Sequence, residues 1–226
     1  MTIVYWSLVS MIEYLLSVLP RSGQVDAVYL DFSKAFDRVD HNLLIAKLHQ
    51  MGVSGSLLSW IGSYLQDRTQ TLKLGTHESR AINVTSGVPQ GSHLGSLLFA
   101  VFGNGIYDLL TDSEFLLYAD DLKLLRKVTN QDDVDALQRC LTAVSEWCSN
   151  NKMSLNVNKC KVISFSRRAE QNRLTANYTI GSQVLTRTSA IRDLGVIVDS
   201  GLTLKPHINQ VVCQEAVKGI QLPICG

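Results

Sequence analysis

The sequence is poor in the features that mark specialised protein classes. Only 4 of its 226 residues are proline and 18% are charged, so a disordered or low-complexity chain is excluded. Neither sign of charge is in excess: 21 Lys and Arg face 20 Asp and Glu, for a net charge of +1. Packaging proteins bind nucleic acid through a large surplus of Lys and Arg, so that class is excluded too, although a local basic groove is not. Cysteine is sparse and odd in number, at Cys140, Cys148, Cys160, Cys213 and Cys225, with no C-x-x-C. That argues against a disulfide framework or structural zinc and for reduced thiols in an intracellular, non-secreted chain. The sequons at Asn83 and Asn177 would matter only in a secreted protein.

Long hydrophobic runs are missing as well. The most apolar stretch, MTIVYWSLVSMIEYLLSVLP, is broken by Glu13, has no basic leader and is not followed by a small-x-small cleavage site. It predicts neither a signal peptide nor a membrane span. Val4, Leu8, Met11, Leu15, Val18 and Leu19 fall near helical spacing, which predicts a packed helix.

What is present is 46% hydrophobic residues, enough for a substantial core. VDAVYLDF at 25–32 reads as a strand covered on both faces. Helices are expected over about 33–51 and 55–66, a hairpin over 69–85, and a long apolar helix after SGVPQG. FLLYADDLKLL at 115–125 reads as strand, turn, strand. An amphipathic helix is expected over 131–150, then the strand KCKVISFS, a further hairpin and one more strand. Grouped helices with hairpin-paired strands argue for an α+β fold with a largely antiparallel sheet.

Three acids stand out. Asp31 closes an apolar strand, and Asp120 and Asp121 sit side by side in an apolar hairpin. A carboxylate at a buried strand end is costly unless neutralised, and adjacent acids repel each other. A divalent cation would relieve both penalties if the two strands lie together. Oxygen ligands of this kind suit Mg²⁺ or Mn²⁺, and a pair of such ions is a known solution for nucleotidyl transfer. An exposed Asp-rich turn is the alternative reading of the pair taken alone.

These segments resemble motifs of one family. YADD at 118–121 looks like the metal-binding hairpin of reverse transcriptases, and VYLDFSKAFDRVDH at 28–41 resembles their first metal-binding motif as found in non-LTR (LINE-type) retrotransposons. SGVPQGSHLGSLLF at 86–99, LNVNKCKVISF at 155–165 and LGVIVDSGLTLKPHI at 194–208 resemble three further motifs in the family's order.

The resemblance implies a right-hand polymerase palm, its antiparallel sheet flanked by helices, with most of the fingers and thumb missing. Residues 1–24 would be a helical remnant of the fingers. Residues 25–165 would be the palm, with a finger-like hairpin at about 69–85. Residues 166–226 would be the end of the palm and a degenerate thumb start.

The resemblance further implies that Asp31 and Asp120 ligate two Mg²⁺ ions, replaceable by Mn²⁺, with Asp121 close by and the Phe32 carbonyl completing one site. Phe36 would be the ring that excludes a ribose 2′-hydroxyl, Gln90 and Gly91 would contact nucleotide and template, and Lys159 would protonate departing pyrophosphate. Arg68, Lys161, Arg167 and Arg168 would touch nucleic acid, the last three within a basic stripe from Lys152 to Arg173.

The implied partners are an RNA template, a DNA primer and deoxynucleoside triphosphates, with no membrane, in nucleus and cytoplasm. Departures from the family pattern are His93 in place of an aliphatic residue, Ser96 in place of proline, and GNGIYDL in place of a more apolar segment. The segment VVCQEAVKGIQLPICG does not resemble the helical thumb. They leave open a second reading: a catalytically silent remnant that at most binds nucleic acid or a partner. A metal-dependent nuclease using the same acids is a third, opposed by the absence of a neighbouring general base.

Overall fold

The structure is a computed structural model that describes residues 2–21, 23–167 and 173–219. The chain opens with helix α1 (Thr2–Val18) and enters strand β1 (Gln24–Asp31). Helices α2 (His41–Gln50) and α3 (Gly55–Leu65) follow. Four two-residue strands, β2 (Thr69–Gln70), β3 (Lys73–Leu74), β4 (His77–Glu78) and β5 (Ile82–Asn83), then make an exposed hairpin in which β2 pairs with β5 and β3 with β4. Helix α4 (His93–Gly103) continues into a 3-10 turn at Asn104–Leu109. Strands β6 (Glu114–Tyr118) and β7 (Asp121–Lys127) form a tight hairpin before helix α5 (Gln131–Asn150). Strand β8 (Lys161–Ser166) and the short β9 (Thr179–Ile180), β10 (Gln183–Val184) and β11 (Thr186–Arg187) lead to the hairpin β12 (Ala190–Asp193) and β13 (Val196–Asp199) and to helix α6 (Lys205–Gly219).

The main sheet has the order β11-β8-β1-β7-β6. All its pairs are antiparallel except β11 with β8, so the sheet is mixed but mostly antiparallel, within the expected α+β class. Strand β1 lies at its centre, and alternation sends its residues to two faces. Val28 and Leu30 pack under α2, α4 and α5 with Leu44, Phe102, Leu141 and Val144. Val25 and Ala27 face the other way, against Met11 and Leu15 of α1 and Val198 of β13. The near-continuous apolar run of β1 is therefore explained by burial on both sides.

One expectation needs correction. The helix expected from Ser33 begins only at His41: Lys34 takes a left-handed backbone (φ 51°) and Ala35–Asp37 make a single 3-10 turn. The Asp40 carboxylate then caps the new helix by accepting from the Leu43 amide at 3.0 Å. At the other end, α6 takes in the described part of VVCQEAVKGIQLPICG, whose residues 220–226 lie outside the described residues.

Candidate functional site

The register of the sheet decides where the acids meet. Asp31, the last residue of β1, is the cross-strand partner of Asp121, the first residue of β7. Side-chain alternation places both on the face shared with Tyr29, Lys123 and Leu125, beyond the part covered by α1. Asp120 occupies the two-residue turn between Tyr118 and Asp121. Ala119, the other turn residue, sits at φ 51°, a conformation that costs an L-residue about 1 kcal/mol or more.

Two clefts open beside the acids. One, of about 470 Å³, is lined by Asp31, Phe36, Gln90, Asp120, Asn156 and Lys159. The other, of about 400 Å³, includes Asp31, Asp121, Lys159, Lys161 and Arg192. Asp31 and Lys159 belong to both. The Lys159 ammonium stands 3.6 Å from the Asp31 carboxylate, a partly exposed ion pair that water screens. The Asp121 carboxyl is pushed above its ordinary range, mostly by desolvation and then by the charge of Asp120, with Lys123 opposing. Asp193 and Asp31 raise it further.

The backbone fixes this arrangement. The Asn156 amide donates to the Asp31 carbonyl at 2.8 Å and the Ser33 amide to the Ser154 carbonyl at 2.8 Å. Between them Phe32 bridges to Leu155, which turns the Phe32 amide and carbonyl away from that segment and towards the β7 side. Phe36 is half-buried and its ring stacks on Phe99 with centroids 4.6 Å apart.

The SGVPQG loop is tied to the turn that carries Phe36. The Val88 amide donates to the Phe36 carbonyl, and the Gly87 amide to the Val39 carbonyl, both at 2.8 Å. Ser86 Oγ donates to the Asp37 carbonyl at 2.8 Å and Gln90 Nε2 to the Asp37 carboxylate at 3.1 Å. Gly87 has φ +92°, and a Cβ there would lie 2.8 Å from Asp37 Cα, so only glycine fits. His41 Nε2 lies 2.9 Å from the Gly87 carbonyl.

Asp31, Phe32, Phe36, Gln90, Asp120 and Lys159 are thus gathered at one cleft. Asp121 and Lys161 lie in its neighbour, and Gly91 (φ +76°) is exposed beside Gln90. The basic residues are not gathered. Arg68 donates to the Gly87 carbonyl at 3.5 Å. The basic stripe is split, because residues 162–166 of β8 are buried: Lys161 is at the acidic end of the strand and the exposed Arg167 follows its other end. Arg168 lies outside the described residues. His93 and Ser96, the departures in the third motif, are exposed on α4 and leave the core beneath intact.

Sequence reasoning did not single out Asp37, Gly87, His41, Asn156 or Arg192. It also missed a buried ion pair under the acids. Lys123 and Asp193 lie 2.5 Å apart, each 2% exposed. Tyr29 donates to the Asp193 carboxylate at 3.1 Å, and burial pushes its hydroxyl well above its ordinary pKa. A lysine amid the buried leucines of β7 was the available signal.

As donors, Asp31, Asp120 and Asp121 offer hard carboxylate oxygens at one strand end, which fits Mg²⁺ or Mn²⁺ and not a soft metal. Among the described residues, no three His, Cys, Asp or Glu side chains are already drawn around a common point. The fit is therefore one of donor chemistry and position. No described helix is long and apolar enough to cross a membrane.

Residues 17–198 match the family model described as "Reverse transcriptase (RNA-dependent DNA polymerase)". The chain is 31% identical over 208 residues to the RNA-directed DNA polymerase from mobile element jockey of Drosophila funebris, covering 88% of this chain and 22% of that protein. It is 24% identical over 216 residues to a Pol polyprotein from the type-1 retrotransposable element R2 of Popillia japonica, covering 88% of this chain and 35% of the relative. It therefore spans about a fifth to a third of these relatives' length. The fold is similar to that of apo telomerase from Candida tropicalis, truncated from its C-terminal domain, with a TM-score of 0.58 at 15% identity over 90% of this chain and 39% of that one.

Proposed function

Because the chain belongs to the reverse transcriptase (RNA-dependent DNA polymerase) family, we propose that it carries the polymerising palm of a non-LTR retrotransposon enzyme. The reaction is RNA-directed DNA synthesis, in which a primer 3′-hydroxyl attacks the α-phosphate of a deoxynucleoside triphosphate. The observation that carries the reading is the pairing of Asp31 with Asp121 beside the Asp120 turn.

Asp31 and Asp120, with the Phe32 carbonyl, would hold two Mg²⁺ ions or Mn²⁺ in their place, and Asp121 adds negative charge nearby. When bound, these ions would lower the pKa of the attacking hydroxyl and stabilise the leaving pyrophosphate. The protein's own side chains do the rest. Phe36, held by its stack on Phe99, presents a rigid edge below the sugar and leaves no room for a 2′-hydroxyl. Gln90 and Gly91, on the loop docked to the Phe36 turn, contact the nucleotide and its template base. Lys159 reaches the same cleft on a long exposed stem and gives its proton to pyrophosphate. Arg68, Lys161, Arg167 and Arg168 contact the phosphates of the RNA template and DNA primer.

In this reading residues 1–24 belong to the fingers, 25–165 are the palm with the 69–85 hairpin as its finger-like part, and 166–226 are the palm end and thumb start. The enzyme works in nucleus and cytoplasm, as its family's lifestyle implies.

The test is primer extension on an RNA template by the full chain, with Mg²⁺ and with Mn²⁺. Asp120→Asn is expected to lower incorporation by more than about a hundredfold, with circular dichroism and Tm unchanged. Normal extension by that variant would overturn the metal assignment. No incorporation by the unmutated chain, where a full-length relative works, would overturn the activity.

A further inference from the structure

A second polar cavity lies at the opposite end of the sheet from the acids. It measures about 420 Å³ and is lined by Arg173, Thr175, Arg187, Thr188, Ser189 and Ser200, with Ser164 and Leu174. Strand β8 runs antiparallel to β1, with Ser166 opposite Gln24, so this end is seven residues from Asp31 along β1, roughly 20 Å. No acidic residue is among the described residues that line the cavity.

Arg187 is built in. Its guanidinium donates to the Ser164 hydroxyl and, at 2.6 Å, to the Ala176 carbonyl. It lies 3.8 Å from the wholly buried Asp26 carboxylate and 6.0 Å from the centre of the Tyr178 ring. Asp26 is held in turn by Gln24 at 2.9 Å, Ser164 at 2.6 Å and Tyr178 at 2.9 Å. A planar cation is thus fixed in one orientation before any ligand arrives, which reduces the ordering cost of binding. These contacts use the two terminal nitrogens; Nε makes no hydrogen bond among the described residues. Arg173 adds a second cation and donates to the Ser166 carbonyl at 3.4 Å. Thr175, Ser189 and Ser200 line the cavity, and their hydroxyls make no side-chain hydrogen bond among the described residues.

Two guanidinium groups and three hydroxyls, with no carboxylate among the described lining residues, match a tetrahedral oxyanion. We infer that this cavity is a phosphate-binding site, separate from the acidic edge. It accepts one phosphate group, either from a nucleic-acid backbone or as a free phosphate. The basic stripe that β8 divides then serves two places: Lys159 and Lys161 at the acids, and Arg173 at this pocket. The inference does not rest on polymerase activity.

The test is calorimetric titration of the full chain with inorganic phosphate, at constant ionic strength, repeated with a short single-stranded RNA as competitor. Arg173→Gln and the pair Ser189→Ala/Ser200→Ala are each expected to weaken phosphate binding about tenfold. Arg80→Gln, on the exposed 69–85 hairpin, is expected to leave it unchanged. Arg187 is left in place, because its removal would strand buried Asp26. Circular dichroism and Tm establish that each variant is folded. Competition by the RNA would assign the site to backbone phosphate; phosphate binding without competition would assign it to a free phosphate. No phosphate binding, equal binding by the Arg173 and serine variants, or equal loss in Arg80→Gln would overturn the inference.

Discussion

At the scale of single residues, the acids were legible because their types are expensive where they stand. Asp31 ends a buried strand and Asp120 and Asp121 share an apolar hairpin, so each needs a reason in chemistry. Lys123 and Asp193 were not legible as a pair. They are separated by 70 residues, and a charge in a sequence reads as surface until a partner is known. Phe36 was singled out through the resemblance alone; in the structure its ring stacks on Phe99. Phe36→Val is expected to raise ribonucleotide incorporation relative to deoxynucleotide, measured by competing the two triphosphates in primer extension. Unchanged discrimination would remove Phe36 from that role. Ala119 holds a left-handed backbone at the turn beside the acids. Replacing it with glycine is expected to raise unfolding stability by about 0.5–1 kcal/mol, since the relieved strain exceeds the added chain entropy. Denaturant unfolding measures this.

At the scale of elements, period and punctuation predicted α3, α5, the 69–85 hairpin and the β6–β7 hairpin with close boundaries. The failure at 33–40 is instructive. Its composition is compatible with helix, but the left-handed Lys34 and the capping Asp40 redirect the chain. The resulting turn is what the SGVPQG loop binds, through Gly87, Val88 and Gln90. No local pattern announces a turn whose partner lies some 50 residues away. The Asp40 carboxyl is held below its ordinary pKa, first by the Lys152 ammonium and then by the Leu43 amide. A depressed folded pKa means that this cap's contribution is complete above the ordinary Asp range and fades as pH falls through the lowered value.

At the scale of the whole molecule, the sheet joins segments from distant parts of the chain. The mostly antiparallel α+β architecture was legible, while the register that sets Asp31 against Asp121 was expected only if β1 and β7 were neighbours. The Lys123–Asp193 pair ties the central sheet to the β12–β13 hairpin, and Tyr29 links it to Met11 of α1. Lys123→Met leaves a buried carboxylate without its cation and is expected to cost about 3–5 kcal/mol in denaturant unfolding. The apolar pair Lys123→Met/Asp193→Leu is expected to recover most of that loss. A single variant as stable as the parent would show that Asp193 is not confined.

The proposal that Asp31 and the Asp120–Asp121 turn hold two divalent cations is open to measurement without any turnover. Titration of the full chain with Mn²⁺, followed by electron paramagnetic resonance, counts the bound ions directly. Saturable binding to the unmutated chain that is lost in Asp31→Asn and in Asp120→Asn, with both variants folded, is the expected result. Mn²⁺ binding that survives both substitutions, or none by the unmutated chain, would contradict the claim.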